Sequence, residues 1–225
     1  VPASAVTGTS LGMRARISND ISPGSTGAGG VGEVEDYVVN IAQPTTDFGD
    51  YSLFSVVSST TNSNLRLGAL TDAEYVATTN ATATGDDITG SDDEDGVTLP
   101  SMIAGAPATI PVVVTNTTGA SAYLNAWIDY NGNGSLADAG EQIATNVAVT
   151  TGTSNGTQNL SITVPATTLT GVPLGARVML TSASSPATSG SVGTGEIEDY
   201  VVNITAPTTD FGDFSSFADA SQGVS

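Results

Sequence analysis

The residues in this chain best placed to do chemistry are oxygen donors at fixed spacing. The run DYNGNGSLADAGE, Asp129 to Glu141, sets Asp129, Asn131 and Asn133 at alternate positions, followed by Gly134, the Ser135 carbonyl, Asp138 and Glu141. Alternating oxygen ligands with a glycine at the sharp bend suit a hard cation such as Ca2+. The twelfth position, which an EF-hand fills with a bidentate Glu, is Gly140, and Glu141 follows one place later. The other reading of the same run is an Asn-Gly hairpin loop that holds no metal.

A second acidic run, GDDITGSDDEDG from Gly85 to Gly96, carries Asp86, Asp87, Asp92, Asp93, Glu94 and Asp95. Carboxylates this dense repel one another unless water solvates them or a divalent cation bridges them, and both readings stand. Paired carboxylates also serve glycoside hydrolysis, but with aromatics at only 5% no aromatic-lined cleft is expected. The chain has no Cys, His or Lys, and its cations are Arg14, Arg16, Arg66 and Arg177. That removes the Ser-His-Asp triad, the thiol nucleophile, the Schiff base, zinc sites built on nitrogen or sulfur, disulfides and Lys-Asn isopeptide staples. The expectation is a protein that is not an enzyme.

The third acidic pattern occurs twice. GEVEDYVVNI begins at Gly32 and GEIEDYVVNI at Gly195, and each is followed by TTDFGD, at Thr45–Asp50 and Thr208–Asp213. The spacing (196 − 33 = 163) also carries Arg14 onto Arg177 and Asp47 onto Asp210 without a gap, so residues 1–62 repeat as residues 164–225 with about half the positions identical. Long-period identity is the mark of an array. The expected organisation is the end of one unit over 1–42, a complete unit over 46–205 and the start of another over 209–225, a window onto a longer protein. Strand alternation puts Glu33, Glu35 and Tyr37 on one face, and likewise Glu196, Glu198 and Tyr200, while Asp36 and Asp199 face the other way. The recurring Arg14 and Arg177 are the expected partners of the inward glutamates. Asp47, Asp50, Asp210 and Asp213 are expected to organise the junctions between units with those acidic strands, with Ca2+ as the candidate bridge.

These residues need elements to hold them. Runs rich in Val, Ile, Thr and Tyr, separated by Gly, Asn, Pro and Ser clusters, predict an all-β, Ig-like Greek-key sandwich repeated in tandem. Strands are expected near Val97–Leu99, Ala108–Asn116, Ala122–Tyr130, Gln142–Thr150, Gln158–Val164, Ala176–Thr181 and Glu196–Ile204. Ser58–Arg66 and Ser184–Gly195 read as loops, and Leu70–Thr79 as a turn of helix or a covering loop. Trp127 points away from the face of Leu124, Ala126 and Ile128 and is expected to be a half-buried packing residue.

The GEVEDY and GEIEDY strands, together with GDDITGSDDEDGV, AYLNAWIDYNGNG and AGEQI, resemble the GEVED domain, a module of large secreted and cell-surface bacterial proteins. The resemblance implies an extracellular β-sandwich serving in adhesins, stalks or matrix proteins. The formal charge of −19 repels nucleic acid and anionic membranes, and no apolar stretch suits a membrane span. The expected function is therefore a calcium-stiffened extracellular stalk, fibre or filament whose partners are neighbouring repeats and copies of itself. The alternative is an adhesin module that binds a surface glycan or protein, with Trp127, Tyr123 and Tyr75 as platforms.

Overall fold

The computed structural model describes residues 5–21, 24–85, 93–184, 186–211 and 221–223. It divides into two compact units, Val1–Pro44 and Thr45–Ser225, a boundary inside the proline-bearing linker. All regular structure among the described residues is strand, and no helix there is long and apolar enough to cross a membrane.

The first unit is a hairpin of β1 (Ser10–Ser18) and β2 (Gly32–Asn40). The second contains β3 (Thr46–Phe48), β4 (Val57–Thr60), β5 (Leu65–Leu67), β6 (Met102–Ile103), β7 (Pro107–Asn116), β8 (Ala122–Ile128), β9 (Gln142–Val149), β10 (Thr153–Thr163), β11 (Pro173–Thr181) and β12 (Gly190–Thr205). A short antiparallel pair, β13 (Thr209–Phe211) and β14 (Ser221–Gly223), follows.

Two sheets make the second unit a β-sandwich. The larger runs β3-β4-β12-β11-β8-β9 with β6 also on β12, and the smaller runs β10-β7-β5. β7 and β10 are neighbours although the β8–β9 hairpin of the opposite sheet lies between them in sequence. Between the sheets sit Leu65, Leu67, Ile110, Val112 and Val114 from one side and Leu124, Ile128, Leu174, Val178, Leu180, Val202 and Ile204 from the other. Each such side chain, fully buried, contributes about 1.5–3 kcal/mol.

The larger sheet is also covered on its outer face. Alternation turns Trp127, Met179 and Ile197 away from the first core, and the segment carrying Tyr51, Phe54 and Val57 packs over them as a second core. This is why the buried stretch of β11 does not alternate. Trp127 is buried, with 4% of its surface exposed, more deeply than the expected half.

The segment that forms this cover departs from the expected loops. Ser58–Arg66 contains most of β4 and part of β5, and β12 begins at Gly190, inside the expected loop Ser184–Gly195. Both arise from long-range pairing, since β4 lies parallel to the first residues of β12, Val57 opposite Gly190 and Thr60 opposite Thr194. Short polar strands of this kind carry no period of their own. Leu70–Thr79 is a covering loop held by a bridge between Thr46 and Glu74.

The hairpin of the first unit has the register of β11–β12. Every pair, from Ser10 opposite Asn40 to Ser18 opposite Gly32, has its counterpart 163 residues later, Pro173 opposite Asn203 to Thr181 opposite Gly195 (173 − 10 = 195 − 32 = 163).

Truncating Trp127 to Ala empties the second core and should cost about 3–5 kcal/mol in denaturant unfolding. Tyr75→Ala, at a side chain 49% exposed, should leave the midpoint almost unmoved.

Candidate functional site

The acidic side chains of β12 each reach a segment distant in sequence. Glu196 Oε2 accepts a hydrogen bond from the Leu67 amide, and Glu198 Oε1 accepts one from the Gly96 amide at 2.9 Å. On the opposite face, Asp199 Oδ2 accepts from the Tyr51 amide at 3.0 Å. Asp47 Oδ2 in turn accepts from the Ile197 amide at 2.8 Å and from the Ser59 hydroxyl at 3.1 Å. Buried amides need acceptors, and carboxylates make the stronger charge-assisted bonds. Glycines make room for these contacts: a Cβ on Gly49 would lie 2.5 Å from Arg177 Nη2, and one on Gly96 would lie 2.7 Å from Glu198 Oε2.

The expected partner of Arg177 is corrected. It pairs with Asp199, not with the glutamates, because Arg177 and Asp199 face each other across β11 and β12 on the outer side. The pair is bidentate, Nε to Oδ1 and Nη2 to Oδ2 both at 2.7 Å, with both side chains at 0% exposure. Arg177 Nη1 donates to the carbonyls of Ser55 and Thr188, and the guanidinium carbon lies 5.0 Å from the centre of the Phe54 ring. Asp47 and Asp50 are fully buried within their own unit, where Asp47 binds β12 and Asp50 Oδ2 accepts from the Gly85 amide at 2.6 Å.

The first unit repeats this chemistry in water. Arg14 Nε and Nη2 bind Asp36 at 2.6 and 2.7 Å, and Nη1 donates to the Ser25 carbonyl, the counterpart of Thr188 (188 − 25 = 163). Pairing with Arg14 holds the Asp36 carboxyl below its usual range. Glu35 accepts from the Tyr37 hydroxyl, as Glu198 does from Tyr200 at 2.8 Å, while Glu33 lies exposed.

Beside Glu196 the structure gathers buried acids. Asp47, Glu74, Asp93 and Glu196 have exposures of 2%, 9%, 4% and 1%. Burial, reinforced by the charges of Asp72 and Asp93, pushes Glu74 up to about 8. Burial, reinforced by Glu198, Asp47 and Asp93, pushes Glu196 up to about 11. Asp47 is raised by burial and by Glu74 and Asp93, and burial raises Glu198 to about 8 against the bonds from Tyr200 and Gly96. Asp95 caps the Ala69 amide at 2.9 Å. Asp86, Asp87, Asp92 and Asp213 lie outside the described residues, and Asp210 stands in β13 opposite Gln222. Sequence reasoning missed Glu74; its one signal was an acid in the apolar-flanked run DAEYV.

The loop from Asp129 to Glu141 closes on itself. The carboxylate of Asp129 accepts from the amides of Asn133 and Gly134 at 3.1 and 2.8 Å. Asp138 Oδ2 accepts from the side-chain amides of Asn131 and Asn133 at 2.9 and 2.8 Å, which hold its carboxyl below the usual range. Asn133 Oδ1 accepts from the Ser135 amide at 2.7 Å. Glu141 is buried at the end of the loop, and burial together with Asp129 and Asp138 raises it. Among the described residues no three acidic side chains already stand at metal-ligating distance of a common point.

The family model of the GEVED domain matches residues 123–203, from β8 through the acidic strand β12. The resemblance seen in the sequence therefore holds over the larger sheet's central strands. A search of curated proteins finds no match to the chain.

Two measurements follow. Asp199→Asn strands a buried guanidinium and should lower unfolding stability by about 3–5 kcal/mol, whereas Asp36→Asn at the exposed pair should leave the midpoint nearly unchanged. With EDTA present, stability should fall as pH rises from about 4.5 to about 8. Folded Glu74 and Glu198 keep protons there that the unfolded chain has already lost, so the stabilising protonated form is fully present below that window. Midpoints of chemical denaturation across that range report the slope.

Proposed function

We propose that this chain is part of an extracellular bacterial repeat protein in which tandem sandwich modules serve as structural units of a stalk, fibre or filament stiffened by Ca2+. One observation carries the reading: the acidic side chains of β12 and of Asp47 are spent on tethers inside the unit, and Trp127 is buried instead of forming a binding platform. A module whose acidic strand β12 is tied to its first strand β3, about 150 residues earlier, is suited to bear load. The repeated hairpin register supports a succession of such units, and the lack of His, Cys and Lys supports a role other than catalysis. A net charge of −19 opposes lateral packing of copies unless cations neutralise part of it.

An adhesin module is the second reading. A shallow cleft of roughly 270 Å³ lined by Ser55, Asn133, Ser135, Leu136 and Thr188 offers hydroxyl and amide groups to a glycan.

Antibodies against the chain should label intact source cells without permeabilisation, and a glycan array should retain no labelled protein. Signal only after permeabilisation would remove the extracellular reading. Selective retention of one glycan class, lost in Asn133→Ala, would replace the structural reading with the adhesive one.

A further inference from the structure

Four carboxyl groups from separate stretches of chain meet beside β12. The Ile197 amide binds Asp47, which places β3 next to Glu196. The Glu74 amide donates to the Thr46 carbonyl at 2.7 Å, which places Glu74 next to Asp47. Asp93 Oδ2 accepts from the Asp72 amide at 2.9 Å, two residues before Glu74. Glu196 stands at the far side, one of its oxygens on the Leu67 amide.

The chain supplies no cation to this chamber. Arg177 is committed to Asp199 on the opposite face of the sheet, and Arg66 donates to the Ser63 carbonyl and the Asn155 side chain. Arg14 and Arg16 are engaged within the first unit, by Asp36 and by the Gly24 and Gly27 carbonyls. There is no Lys or His. At the same time the chamber contains acceptors with nothing to bind: Glu196 Oε1 and both carboxylate oxygens of Glu74 are buried without hydrogen-bond partners. An unsatisfied buried acceptor is costly, and a charged one more so. These oxygens point to a missing positive ligand.

We propose that Asp47, Glu74, Asp93 and Glu196 form a divalent-cation site, with Ca2+ as its ligand, that fastens β3 and the loops of Glu74 and Asp93 to β12. All donors are hard oxygens, and a flexible set of carboxylates suits Ca2+ better than the strict octahedron of Mg2+. A doubly charged ion would draw the four carboxyl groups together by displacing their protons and offsetting their mutual repulsion. The site joins residues about 150 positions apart, from β3 to β12. The inference takes its choice of cation from the calcium-stiffened reading, and its location from the orphaned oxygens alone.

The test is calorimetric titration of Ca2+ into the EDTA-stripped, dialysed chain at neutral pH, with melting temperature followed in parallel. The native chain should bind Ca2+ and melt higher with it. Glu196→Gln keeps the shape and an acceptor for Leu67 while removing one carboxylate ligand, so it should fold. It should weaken Ca2+ binding by about tenfold or more, as should Glu74→Gln, which keeps the shape and an acceptor oxygen and decides the matter should Glu196→Gln not fold. Asp138→Asn in the Asp129–Glu141 loop should leave binding unchanged. No heat and no melting shift in the native chain would overturn the site, as would loss of binding in Asp138→Asn alone. Neither result bears on surface labelling or glycan retention, which test the structural reading separately.

Discussion

The second unit depends on a strand that carries charge into the interior of a sandwich. β12 holds Glu196 and Glu198 toward one core and Asp199 toward the other, each almost fully buried. A buried carboxyl is tolerated only where hydrogen bonds or an opposite charge replace its water. The neighbouring chain is arranged to provide them: Leu67 and Gly96 present amides on one side, and Tyr51 and Arg177 complete the other. Those bonds hold β5 and the covering segment in place, and the Ile197 amide holds Asp47 of β3, so the polar groups of β12 specify which distant segments dock and where.

The same ion pair in two settings separates chemistry from environment. Arg14–Asp36 and Arg177–Asp199 share register, bidentate geometry and even the third bond from the guanidinium to a carbonyl. They differ in cover. Arg177 lies beneath Phe54 and the chain around Gly49, in a medium where charges interact strongly and an unpaired one is severely penalised. Arg14 is 45% exposed, and water screens its partner. The pair is one sequence feature with two energetic roles, set by whether a covering segment is present.

The two acidic regions solve repulsion in different ways. In the Asp129–Glu141 loop, asparagines at 131 and 133 turn would-be ligands into donors, and Asp138 accepts both. The loop thereby reaches local balance with neutral amides. The chamber of Asp47, Glu74, Asp93 and Glu196 has no asparagine side chain bonded to it among the described residues, and burial together with neighbouring charge raises the pKa of Glu74 and Glu196.

The sequence by itself determined the all-β architecture, the central strands, the inward facing of Glu196 and Glu198, and the resemblance to the GEVED domain, because each follows from alternation or local identity. It also singled out Arg177 as a paired cation, since so few cations are available. Tertiary structure decided the rest. Alternation fixes the face on which a side chain lies but not what covers that face, so the choice of Asp199 over the glutamates for Arg177 became visible only with β11 beside β12. The burial of Trp127, the parallel docking of β4, the internal placement of Asp47 and Asp50, and the inclusion of Glu74 in the chamber all come from contacts between residues far apart in the chain, which no local pattern encodes.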